Sequence, residues 1–492
     1  MLDSRPIPSP QLSTTDDPFS QAADVLILGI GNGRELGPTL ERVDTAGNGW
    51  ISRLIERKKV PQKRGEALLL APPTASGPTM IMLVGLGSDE ERDRQCAFDI
   101  TATAIRKLTD QPQKEVIIAL AESFPPSQHD AIVAGALCAC EGTGIYQAEA
   151  SLQIPAAISF TAIEVANLDR GKVIGESINH TRRLVNEPPS VLYPQTFADR
   201  AAALAKETNL SIEIWDEHKL AAENCRAILA VGSGSTKPPR LVILRYQGGG
   251  DQTPLALVGK GVTFDSGGLS LKPSEGMQSM KCDMAGAATV LGVLHAIAKL
   301  GLRCNVIGLC GLAENMVSGD SYKLGDVIQT RSGKTIEILN TDAEGRVVLA
   351  DTLDVAVQMK PAAIVDLATL TGACLVALGT EVAGLMTNDQ SICDQVQAAA
   401  ELEGEPVWQL PMFKLYNEKV KSKVADIKNI GEGRWGGAIT AAKFLENFVD
   451  DVPWLHIDIA GPAFADSPKP HRDAGATGVM VRTLIRWIES RS

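Results

Sequence analysis

Two carboxylates and a guanidinium crowd into Asn340-Thr341-Asp342-Ala343-Glu344-Gly345-Arg346, a run whose charges no packing requirement explains. It reads as a catalytic loop. Upstream, the apolar residues 255–258 run into Lys260 and Asp265, and Lys272 follows a few residues later. Asp283 precedes a small-residue run, Ala285-Gly286-Ala287-Ala288, expected to continue as a helix over residues 289–300. Four acids (Asp265, Asp283, Asp342, Glu344) and three bases (Lys260, Lys272, Arg346) thus fall at the mouths of expected strands or the starts of expected helices. Gathered in one low-dielectric cleft, four carboxylates would repel one another and take up protons unless cations neutralised them. Divalent metals are the simplest partners. With no Cys or His in the set, the donors would be hard oxygens and perhaps one nitrogen, which suit Mg or Mn and still accept Zn. Two cations sharing carboxylates about 3.5–4 Å apart are a recurring device for activating water in hydrolases.

The elements that must carry these residues follow from local pattern. Residues 334–339 have the alternating, β-branched character of a strand, and Leu349, Leu353, Ala356 and Val357 fall at helical spacing. The loop at 340–346 is therefore expected at the carboxyl end of a strand where a helix begins, the place where open α/β sheets bind ligands.

These segments closely resemble the leucyl aminopeptidase family of cytosolic di-metal exopeptidases. The resemblance covers the chain from about His180 to the C-terminus. It rests on Asn340 to Arg346, Asn186-Glu187-Pro188-Pro189-Ser190, residues 258–272, Asp366-Leu367-Ala368-Thr369-Leu370-Thr371-Gly372-Ala373 and Trp454-Leu455-His456-Ile457-Asp458-Ile459-Ala460-Gly461. It implies two divalent ions per subunit, Mn²⁺ or Zn²⁺. One would be held by Asp265, Asp342 (side chain and main-chain carbonyl) and Glu344, the other by Lys260, Asp265, Asp283 and Glu344. Lys260 would bind as a neutral amine, its pKa driven far below the ordinary value by the adjacent dication and by desolvation. By the same resemblance Lys272 steadies the oxyanion, and Arg346 holds a bicarbonate that takes the proton from the activated water. Met280, Thr369, Leu370, Gly372, Ala460 and Ala463 are the implied pocket walls. Leu and Met are the implied N-terminal residues cleaved, although the family commonly places a Met where this chain has Ala463. A homohexamer acting on peptides in the cytoplasm is implied as well.

At 492 residues the chain is too long for one core. The expected class is α/β with two domains, a smaller N-terminal macro-like domain and a larger catalytic domain built on a mixed, largely parallel sheet. The expected division is a disordered lead-in over 1–20, the N-terminal domain over 21–168, a connecting helix over 169–190 and the catalytic domain over 191–492. A formal net charge of −12 and a pI near 5.2 argue against nucleic-acid or acidic-membrane partners. No uninterrupted apolar run approaches the ~20 residues of a membrane span. Nine cysteines, an odd number with no C-x-x-C pair, are expected to be buried reduced thiols. The first twenty residues lack an apolar stretch between basic and cleavage regions, so no leader peptide is expected.

Competing motifs are weaker. Gly29-Ile30-Gly31-Asn32-Gly33 fails the dinucleotide pattern because Arg34 stands at the third glycine position, and Ser332-Gly333-Lys334-Thr335 lacks the first glycine of a P-loop. His456 is expected to be a hydrogen-bonded structural histidine rather than a ligand. Two other functional classes are disfavoured: DNA binding or scaffolding by the net charge, and a di-metal phosphoesterase by the absence of His from the acidic set.

Overall fold

The structure, a computed structural model, describes residues 4–16, 18–19, 23–31, 36–73 and 77–492. The chain divides into two compact units, residues 1–179 with 466–474, and residues 180–465 with 475–492. The helix Val165–Asn186 carries the chain from one to the other.

The N-terminal unit holds a six-stranded sheet in the order Gln11–Thr14, Ala157–Phe160, Glu115–Ala119, Val25–Ile30, Met80–Gly85 and Ala67–Leu70. All neighbours are parallel except the last pair. Its central strands read as continuous apolar runs because both faces are covered. Val25 and Ile27 pack into one core, Leu26, Leu28 and Ile30 into another.

Two expectations are corrected here. Gln11–Thr14, placed in a disordered lead-in, is an edge strand in register with Ala157–Phe160. Its largely polar sequence hid it, since main-chain pairing and the single apolar contact of Leu12 hold it. Residues 1–3, 17 and 20 of that lead-in lie outside the described residues, as do Asn32, Gly33 and Arg34 of the glycine motif. Residues 466–474, assigned by sequence to the catalytic domain, belong to the N-terminal unit. There Asp473 pairs with Arg106 and accepts the Thr143 amide.

The C-terminal unit is built on an eight-stranded sheet in the order Val407–Gln409, Ala383–Thr387, Trp454–Asp458, Ala363–Ala368, Leu255–Asp265, Asn305–Asn315, Arg240–Gln247 and Ser211–Trp215. Its four central strands, Trp454–Asp458 through Asn305–Asn315, run parallel, and antiparallel pairs lie outside them. Ala285–Leu300 packs directly on this parallel block. A Cβ at Gly286 would lie 2.1 Å from the Leu367 carbonyl oxygen, so only glycine permits that approach. The most apolar 18-residue window of Ser274–Leu300 has 83% of its residues buried, as a core helix does.

The strand expected over 334–339 is shorter, Thr335–Glu337. It belongs to a separate three-stranded sheet with Val327–Gln329 and Ile427–Lys428, not to the main sheet. Ile336 and Ile338 are fully buried and join the main core, which accounts for the apolar alternation that suggested a central strand. The helix after the loop is as expected, Glu344–Gln358.

Candidate active site

The seven charged residues come together at the carboxyl end of the parallel block. Lys260 and Asp265 lie on the long strand Leu255–Asp265, Lys272 follows its glycine turn, and Asp283 precedes helix Ala285–Leu300. Glu344 and Arg346 occupy the first turn of Glu344–Gln358. The turn itself demands glycine: Gly267 and Gly268 have φ of +85° and +60°.

Two ammonium groups are each clamped between carboxylates. Lys260 Nζ lies 2.7 Å from Asp283 Oδ1 and 2.9 Å from Glu344 Oε1, and donates to the Thr369 carbonyl at 3.0 Å. Lys272 Nζ lies 2.8 Å from Asp265 Oδ2 and also pairs with Asp342. Ligand oxygens of Asp265, Asp342 and Glu344 all lie within 4.8 Å of one another. Gly345 makes the first clamp possible, because a Cβ there would sit 2.4 Å from Lys260 Cε.

Burial dominates the electrostatics. It raises the Asp283 carboxyl well above its ordinary range, with Lys260 opposing, and it raises Asp265, reinforced by Glu344, and Asp342. For Lys260 burial favours the neutral amine, but Asp283, Glu344 and Asp265 together outweigh it and hold the ammonium above its usual value. Lys272 is raised in the same way by Asp265 and Glu344 against burial. The charge of Lys260 is therefore set by its acidic neighbours, and a dication among those carboxylates would reverse the balance toward the neutral amine.

The donor set fits divalent cations. Asp283 Oδ2 and Glu344 Oε2 are buried without a hydrogen-bond partner, while Asp342 Oδ1 is taken up by the Lys272 ammonium. Buried carboxylate oxygens left unpaired are costly unless a cation takes them up. Arg346 is buried, which pushes its guanidinium down to about 10; Nη1 donates to the Asn429 carbonyl at 2.9 Å while Nε has no partner.

Among the expected pocket residues, Thr369 donates its hydroxyl to Asp283 Oδ1 at 2.8 Å. The Leu370 and Ala460 amides both donate to Asp458 Oδ1, at 3.2 Å each. A Cβ at Gly372 would meet nothing within 4 Å. Met280 is half-buried in a short turn before Asp283, and Ala463 is buried. His456 is no part of the acidic cluster; its Nδ1 lies 2.6 Å from Asp366 Oδ1.

Sequence reasoning missed three positioning residues. Asn315 donates to Asp265 Oδ1 at 2.8 Å and to the Thr341 carbonyl at 3.0 Å. Asp458 gathers the amides of the pocket segment, and Asn429 braces the loop at 340–346. A polar residue closing a buried apolar strand was the available signal for Asn315 and Asp458. Asn429 had none.

Comparison with known proteins decides the family. The model of the cytosol aminopeptidase family catalytic domain matches residues 179–485, and that of its N-terminal domain matches residues 27–147. The chain belongs to the cytosol aminopeptidase family. It is 62% identical to the probable cytosol aminopeptidase of Rhodopirellula baltica over 99% of each chain, and 40% identical to that of Syntrophotalea carbinolica over 95% of this chain and 97% of that one. Among solved structures, a tomato leucine aminopeptidase point mutant superposes with a TM-score of 0.89 at 32% identity, covering 99% of this chain and 98% of that one. The bottromycin maturation enzyme BotP in complex with Mn gives 0.85 at 36% identity over 96% and 100%. A cytosol aminopeptidase removes N-terminal residues with the help of metal, and this chain is such a metalloexopeptidase. The acidic cluster and the Mn-bound relative support divalent-metal binding here. Family membership carries a cytoplasmic location.

Proposed function

We propose that this aminopeptidase works with two divalent cations, Mn²⁺ or Zn²⁺, and a bicarbonate, and prefers peptides beginning with Leu or Met. The observation that carries the reading is the pair of lysine clamps, because each ammonium marks a place where two carboxylates already hold positive charge. Asp265, Asp342 and Glu344, with the Asp342 carbonyl, would hold one ion; Lys260, Asp265, Asp283 and Glu344 would hold the other. When bound, the cations supply Lewis acidity and an acidified water, and the bicarbonate a proton acceptor.

The chain's own residues do the rest. Lys272 reaches toward the cleft on a side chain that is 17% exposed, and so can donate to the oxyanion as charge develops there. Arg346 offers the unpartnered Nε to the anion. Thr369 and Leu370, held by Asp283 and Asp458, would form with Gly372 the wall against which the N-terminal side chain lies, with Met280, Ala460 and Ala463 alongside. A homohexamer belongs to the reading, as does the absence of membrane and nucleic-acid partners, which the −12 charge supports.

The test is hydrolysis of Leu-amide and Leu-Gly against their N-acetyl forms, with metal analysis of the same preparation. Free-amine substrates should be cleaved and acetylated ones not, since only an unblocked amine has a lone pair to orient the substrate. Activity should rise from neutral toward mildly alkaline pH, as an amine of pKa about 8 deprotonates. Comparable kcat/KM for both substrate forms would defeat the exopeptidase reading.

A further inference from the structure

Trp435 is 85% exposed, although indole is among the largest apolar groups a protein can bury. It stands in the glycine-rich run Gly431-Glu432-Gly433-Arg434-Trp435-Gly436-Gly437, where Gly433 and Gly436 take φ of +66° and +61°. Both ends of this run are fixed at the active site. Before it, Asn429 accepts from Arg346 Nη1 at 2.9 Å, donates to the Asn340 carbonyl at 2.6 Å and accepts from the Leu339 amide at 2.9 Å. At its end, Gly437 lies so close to the segment following Leu370 that a Cβ would be 2.8 Å from that of Ala373. The loop therefore runs from the catalytic turn to the candidate pocket wall, and the indole it carries is exposed to solvent.

A peptide whose N-terminal residue lies at the acidic cluster must send the rest of its chain out past such a rim. We propose that Trp435 is a specificity-determining residue that packs on the side chain of the substrate's second residue and favours aromatic ones there. This inference rests on the aminopeptidase reading above.

The experiment uses the metal-loaded enzyme, with Leu-Gly-amide and Leu-Phe-amide as paired substrates and gel filtration of every variant. Trp435→Ala should lower the ratio of kcat/KM for Leu-Phe-amide to that for Leu-Gly-amide by about 3–10-fold, the worth of an aromatic pair, chiefly through KM. Trp435→Phe should restore most of it. An unchanged ratio in Trp435→Ala would overturn the proposal. So would an equal loss on both substrates with a changed elution volume, which would make Trp435 a subunit contact. If the wild type cleaved neither substrate, the aminopeptidase reading itself would fall.

Discussion

Lys260 and Lys272 are both clamped between two carboxylates, yet the side chain of one is 3% exposed and that of the other 17%. Lys260 has a helix start against it and donates its remaining hydrogen bond to a main-chain carbonyl. Lys272 follows a glycine turn, beside an Asp342 side chain that is 34% exposed. The same residue type in the same kind of clamp is thereby given two tasks. On the proposed reading the enclosed one serves the cation cluster as a ligand, whereas the open one can meet a substrate atom.

The largest expected effect tests the cluster common to both clamps. Asp342→Ala or Glu344→Ala should lower turnover by about three orders of magnitude or more and reduce bound metal, because each removes a ligand from charges that must balance. Full activity with undiminished metal in either variant would dissolve the comparison at its root.

Next comes the contrast itself. Lys272→Ala should keep its metal and lose about 10²–10³-fold in kcat, as expected for a donor that matters chiefly in the transition state. Lys260→Ala should instead lose metal and about 3–5 kcal/mol of stability, since it strands buried carboxylates. Equal metal loss in the two would mean that exposure does not separate their roles.

A smaller effect is expected for Arg346→Ala, about tenfold in rate with metal retained, because water can partly replace a bicarbonate base. Added bicarbonate should stimulate the wild type more than this variant, and equal stimulation would place the anion elsewhere.

The last test leaves turnover aside and probes a buried histidine on the helix that packs on the parallel block. His295 lies on helix Ala285–Leu300, fully enclosed, and burial, aided by His180, pushes it down to about 4. A histidine depressed in the folded state is neutral there while the unfolded chain takes up a proton. Its stabilising contribution is complete above about pH 6.5 and lost as pH falls toward 4, by at most about 3 kcal/mol. Thermal unfolding of wild type and His295→Gln should diverge in slope across that window and run parallel above it. Parallel curves throughout would show that the surroundings of His295 are wetter than its burial implies.

The charged cluster was legible because charged residues at strand ends and helix starts stand out against apolar runs. The central strands were legible for the same reason. What sequence did not disclose depends on partners far along the chain. Gln11–Thr14 is a strand only because Ala157–Phe160 offers it hydrogen bonds, and Asn429 serves the loop at 340–346 only through folding. The run at 334–339 misled because buried alternation looks alike in a central strand and in a short strand of a satellite sheet.

Gly345 carries a consequence for how this site can change over generations. A side chain at 345 needs the room that Lys260 Cε already fills, and Lys260 cannot swing aside while two carboxylates and a carbonyl hold its tip. Shortening residue 260 would free that room but abandon Asp283 and Glu344. Neither position can mutate first without loss, so a strand residue and a helix residue 85 positions apart constrain each other.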